Sequence, residues 1–135
     1  MGYRSEVVSV VYGNEKAFTE YVALEKLKPD NIFVLCAEYI THKVIDYESK
    51  LKILTLEASD VKWYGDYPTV ISWNRFMEES VDHGLNYEFA RVGEEDGDVE
   101  TSLGGDDLEY YLRVQSSIID DSPIASSQMG NTAQM

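Results

Sequence analysis

The strongest constraint on the fold is an order: five short β-prone runs, interrupted twice by stretches with helical periodicity. Residues 7–12 are rich in β-branched side chains, stop at Gly13 and predict a strand. Asn14 is a good N-cap for a helix over about residues 15–28, in which Phe18, Tyr21 and Val22 recur at near-helical spacing before Pro29 ends it. Residues 32–37 read either as a strand or as a buried connector. Residues 39–47 and 51–56 predict two strands joined through Glu48-Ser49-Lys50, hence a hairpin. In a second helix Val70, Trp73, Met77 and Val81 recur along one face. Asp66 is its expected cap, Pro68 is tolerated in the first turn, and Gly84 supplies a left-handed stop. Residues 87–92 and 108–115 predict the last two strands, with an acidic loop between them.

That β-α-β-β-α-β-β order predicts an α+β fold, specifically a two-layer ferredoxin-like sandwich with two helices on one face of an antiparallel sheet. The expected core is Val8, Val10, Phe18, Tyr21, Ile45, Ile53, Leu56, Trp73, Met77, Phe89 and Leu112. The chain's 135 residues suit one domain, expected at 1–119. A polar tail at 120–135 carries too little apolar surface to build a core. No run approaches the roughly 20 apolar residues of a membrane span, and no apolar stretch follows Arg4 as a signal peptide requires. A single cysteine, Cys36, excludes an internal disulfide and fits a reducing compartment. The expected location is therefore the cytoplasm, away from membranes.

Charge narrows the function. Twenty-five acidic against 11 basic residues leave a net −14. Glu94, Glu95, Asp96, Asp98, Glu100, Asp106, Asp107 and Glu109 follow one another with no Lys or Arg among them. Nucleic-acid binding draws most of its affinity from neutralised phosphates, so direct binding of DNA or RNA is not expected. The same field attracts a protein with a basic surface and speeds its arrival.

Motifs with defined chemistry are few. Gly104-Gly105 lacks both the spacing and the Lys of a phosphate loop. Cys36, His42 and His83 do not make a zinc cluster. An EF-hand frame begun at Glu94 puts Val99 at its sixth position and Gly105 at its twelfth, so it fails twice. No metal and no cofactor are expected. One enzyme-like set stands out: Asp46 on a hairpin strand, with Asp60-Val61-Lys62 after the other. Metal-dependent nucleases place an acid and an acid-x-Lys on neighbouring strands in this manner. The connection from Lys62 to Pro68 carries Trp63, Tyr64 and Tyr67. Large aromatics in a loop serve as interface anchors, or else close the core beneath the helix start. Arg91 and Arg113, lying among acids, read as internal partners for them.

Three segments carry a resemblance: Met1-Gly2-Tyr3-Arg4-Ser5; Asp60-Val61-Lys62-Trp63-Tyr64 with Tyr67; and Tyr87-Glu88-Phe89-Ala90-Arg91-Val92-Gly93-Glu94-Glu95 with Asp98-Val99-Glu100. In type and order they resemble a group of small uncharacterised proteins of tailed bacteriophages and prophages, whose members often have Asp where this chain has Glu6 and Glu95. The resemblance implies a phage origin and a role in the cytoplasm of an infected bacterium, and it brings no activity with it.

The expected function is that of a non-enzymatic phage accessory protein. It would bind a host or phage protein through an acidic surface that imitates nucleic acid. The expected binding residues are Trp63, Tyr64, Tyr67, Glu94, Glu95, Asp96 and Asp98, brought together by strands expected to lie side by side. The alternatives are a small metal-dependent phosphodiester hydrolase using Asp46, Asp60 and Lys62, and a phage structural or assembly factor. Self-association into a homo-oligomer is compatible with all three.

Overall fold

A computed structural model describes residues 2–44, 51–114 and 117–122. The chain is α+β. β1 (Ser5–Asn14) leads through α1 (Glu15–Lys26) and a single turn, α2 (Ile32–Leu35), to β2 (Ile40–Val44) and β3 (Leu51–Val61). Then come α3 (Pro68–Asp82), β4 (Asn86–Gly93), β5 (Val99–Gly104), β6 (Leu112–Val114) and β7 (Ile118–Asp120). The main sheet has the order β2-β3-β1-β4-β5 and every neighbouring pair is antiparallel; β6 and β7 form a separate two-stranded ribbon.

β1 is the middle strand, buried along almost its whole length, and its side chains alternate between two cores. Val7 and Val11 join Leu54, Leu56, Ala58 and Phe89 under the helices, against Phe18, Tyr21, Trp73, Phe76 and Met77. Val10 and Tyr12 face the other way and meet Ile53, Tyr111 and Leu112. The helices thus cover one face, and the C-terminal segment covers part of the other. On that second face lies Glu88, fully buried; its carboxylate accepts from the Tyr12 hydroxyl at 2.6 Å and the Leu112 N–H at 3.0 Å.

Local signals act where the sequence puts them. Asn14 caps α1 by accepting from the Lys16 N–H. Gly84, at φ +78°, ends α3: its N–H donates to Val81 and that of buried Leu85 reaches back to Ser80. This double closure needs a left-handed residue at Gly84. Of the expected core, Val8, Val10, Phe18, Tyr21, Ile53, Leu56, Trp73, Met77 and Phe89 are buried and Leu112 is half-buried. Ile45 lies outside the described residues.

Other expectations need correction. The fifth strand of the sheet is Val99–Gly104, within the segment expected to be a loop; residues 112–114 instead pair with β7 on the opposite face. β5 is an edge strand whose residues are mostly exposed, so burial never imposed an apolar alternation on it. β3 continues past Leu56 to Val61 because β1 offers partners up to Ser5, with a register shift near Asp60, which sits at φ +56°. Asp66 does not cap α3: Tyr67 occupies that position and makes no side-chain cap bond. Val81 is exposed and Phe76 takes the core position. The boundary placed before residue 120 falls inside β7, and Ser122 beyond it is buried.

A buried ion pair ties the helical layer together. Glu25 of α1 is buried, and its carboxylate receives two bonds from Arg75 of α3, at 2.9 and 2.7 Å, and one from the Ile32 N–H that opens α2. Burial by itself opposes ionisation of Glu25. The Arg75 and Ile32 bonds and the charges of Arg75 and Lys28 outweigh it and hold the carboxyl below its ordinary range. A depressed carboxyl contributes stability that is complete above the unfolded-state value, about 4.3 for Glu. That contribution is lost as pH falls through the folded-state value. Arg75→Ala takes the bidentate partner from a buried carboxylate, leaves only the more distant Lys28 ammonium, and should cost about 3 kcal/mol at pH 7 in urea unfolding. The gap between variant and parent should narrow as pH is lowered towards 4, because the stranded carboxyl protonates first; a constant gap would contradict this account.

Candidate functional site

β3 and β4 both run antiparallel to β1, so they run parallel to each other, and the connections that follow them leave the sheet at the same end. Ser5 marks that end, opposite Val61 on one side and Gly93 on the other. The strands do not lie side by side, as the sequence led us to expect: β1 stands between them. The residues before β1 therefore run between the aromatic connection and the acidic turn.

Tyr3 makes the join. Its backbone N–H donates to the Tyr64 hydroxyl at 2.8 Å. Its own hydroxyl donates to Asp98 Oδ2 at 2.5 Å and accepts from the Glu95 N–H at 3.0 Å. Arg4 adds two bonds, from its backbone N–H to Glu94 Oε1 at 2.8 Å and from Nη1 to the Asp60 carbonyl at 3.1 Å. Neither residue was singled out from sequence, since their partners stand 56 to 95 positions away.

The four acids are not equivalent. Asp98 is half-buried and held by Arg91, whose Nη2 lies 2.8 Å from Oδ1 and Nη1 3.2 Å from Oδ2; Arg91 also bonds Glu100 and Ser5. Arg91 first, then the Tyr3 hydroxyl, lowers the Asp98 pKa, while the Asp98 bond raises that of Tyr3. Asp98 is thus a structural acceptor that closes the turn with the Gly93 N–H bond to its carbonyl. Gly93 leaves room for this arrangement: a Cβ there would meet the Asp98 carboxylate and the Tyr3 ring and displace one of them. Glu94, also exposed, is engaged by the Arg4 N–H, which leaves Glu95 and Asp96 as exposed acids of the turn whose carboxylates have no hydrogen-bond or ion-pair partner among the described residues. Arg113 likewise pairs with Asp121, at 2.9 Å.

The aromatics also divide. Trp63 is half-buried, packs against the helical core and lies 6.2 Å from the Phe89 ring, while Tyr67 is exposed and contacts the Tyr64 ring at 5.1 Å. Beside them a cleft of about 310 Å³ opens between the end of β3 and the start of α3, lined in part by Arg4, Tyr39, Asp60, Lys62, Trp63 and Tyr67. Of the hydrolase-like set, Asp60 and Lys62 line this cleft and Asp46 lies outside the described residues. Among the described residues no three His, Cys, Asp or Glu side chains are grouped to hold a metal ion. Cys36 is buried, and burial raises its thiol pKa. No helix among the described residues is long and apolar enough to cross a membrane.

No protein-family model, curated protein or solved structure matches the chain.

If Tyr3 joins the two connections, Tyr3→Phe removes the bonds to Asp98 and Glu95 while keeping the ring. We expect a small loss of stability and faster amide exchange at Glu95 and Asp98, with exchange in α1 changed no more than global stability requires. Unaltered exchange in the turn would show that the hydroxyl is not what holds it.

Proposed function

We propose that the chain is a non-enzymatic accessory protein that binds a basic protein partner through this end of the sheet. The observation that carries the reading is the Tyr3 bridge, which links the aromatic connection to the acidic turn. A surface ordered before binding loses less entropy on association. Exposed Glu95 and Asp96, within a chain of net −14, steer a basic protein towards Tyr64 and Tyr67. Charge then acts mainly on association and the aromatic contacts on residence time. Asp98 belongs to the scaffold of this surface, and Trp63 is shared between the surface and the core.

The strand order β2-β3-β1-β4, with α1 and α3 on the crossovers, supports a ferredoxin-like reading in which β5 is added at one edge. The segments shared with small tailed-phage and prophage proteins support a phage origin. The site of action is then the cytoplasm of the infected bacterium, and the partner a host or phage protein whose basic surface otherwise receives nucleic acid.

The test begins with capture of partners from infected cells and continues with rates measured on the purified pair. Glu95→Gln with Asp96→Asn should slow association roughly three- to tenfold at low salt and flatten its salt dependence, with thermal stability nearly unchanged. Tyr67→Ala should instead speed dissociation. An association rate indifferent to both salt and the double substitution would sink the electrostatic reading.

A further inference from the structure

Most cations in this acidic chain are already engaged. Among the described residues Lys28, Arg75, Arg91 and Arg113 sit in ion pairs, Lys26 lies over the Phe33 ring, and Lys52 donates to Thr19. Arg4 and Lys62 are different. Both are half-buried, neither has a carboxylate partner among the described residues, and both line the cleft between β3 and α3. A partly desolvated cation gains more from an added anion than one in open water does. Arg4 is also positioned, because one Nη1 N–H goes to the Asp60 carbonyl while the remaining guanidinium N–H groups are left as donors.

The rest of the lining narrows the anion. Trp63, Tyr67 and Tyr39 offer aromatic surface on which a planar ring can stack. Thr69 and Val70, in the first turn of α3, also line the cleft, and their N–H groups find no acceptor among the described residues. That turn adds donors and the positive end of a dipole to the charge already supplied by Arg4 and Lys62. Asp60 is the single carboxylate of the lining; it repels a phosphate and accepts from a sugar hydroxyl. A volume of about 310 Å³ suits one small molecule and not an extended chain.

From this set we infer that the cleft binds a nucleoside monophosphate, with the phosphate on Arg4 and Lys62 and the base against Trp63 and Tyr67. The inference goes beyond the protein-binding reading and does not require it. The binding is non-covalent, and no reaction is assigned to it.

The full chain, labelled with ¹⁵N, would be titrated separately with adenosine and uridine 5′-monophosphates, adenosine and inorganic phosphate. The nucleotides should bind with dissociation constants below about 1 mM, and the shifts should centre on residues 60–63 and 67–70. Adenosine, lacking the charge, and phosphate, lacking the ring, should each bind at least about tenfold more weakly. Arg4→Gln and Lys62→Gln should each weaken nucleotide binding about tenfold, the scale of one charge-assisted hydrogen bond. Lys62→Arg should keep most of the affinity. Lys16→Gln, at an exposed cation on α1, should change nothing. Phosphate binding as tightly as the nucleotides would overturn the ring's part, and adenosine binding as tightly would overturn that of the cations. Absence of shifts at about 5 mM nucleotide, well above the expected constant, or affinity unchanged in both Gln variants, would overturn the site.

Discussion

Everything in this structure hangs on the double antiparallel pairing of β1. One ten-residue strand supplies hydrogen-bond partners to β3 on one edge and β4 on the other, and side chains to a core on each face. Its period of two makes register unforgiving: a slip of one residue would turn Val7 and Val11 out of the helical core and drive Tyr12 into it. Polar groups guard the same register. Ser9 faces the helices and donates to the Glu88 carbonyl at 2.8 Å, with Met77 Sδ at 3.2 Å; Tyr12 faces the other way and needs the Glu88 carboxylate. Unsatisfied, these buried groups would cost more than their bonds contribute.

The pairing also accounts for the placement of the candidate site. Parallel β3 and β4 must discharge their connections at one end of the sheet, and the chain entering β1 must pass between them. Gly2-Tyr3-Arg4 runs through that gap, and Tyr3 is long enough to touch both sides. From the two loops the contact uses the Tyr64 hydroxyl, the Asp98 carboxylate and the Glu95 N–H.

Much of the scaffold was legible because its signals are local. Asn14, Gly84 and the spacing of Phe18, Trp73 and Met77 act within a turn or two of themselves, so a single chain displays them. β5 was illegible for a physical reason. An edge strand half-exposed on both faces has no use for alternating apolar residues, and its acids made it read as loop. The extension of β3 to Val61 was illegible because length there is set by a partner strand, not by local propensity. Tyr3 and Arg4 were missed for the same reason at longer range. The grouping of aromatic and acidic segments could be expected from strand count, but not the strand that separates them.

A net charge of −14 hides how differently the acids are used. Glu25 and Glu88 are fully buried and serve as acceptors that tie helix to helix and sheet to C-terminal segment. Asp98 and Glu94 spend their carboxylates on Arg91, Tyr3 and the Arg4 N–H. What reaches a partner is the remainder, so counting acids in a run overstates the field that any one surface presents. The cations obey the inverse logic. In a chain so rich in carboxylates, a half-buried Arg or Lys outside any ion pair stands out among the described residues, and Arg4 and Lys62 line the same cleft. Two such cations in one cleft, one from the chain entering β1 and one from the end of the neighbouring β3, are what the proposed anion site rests on.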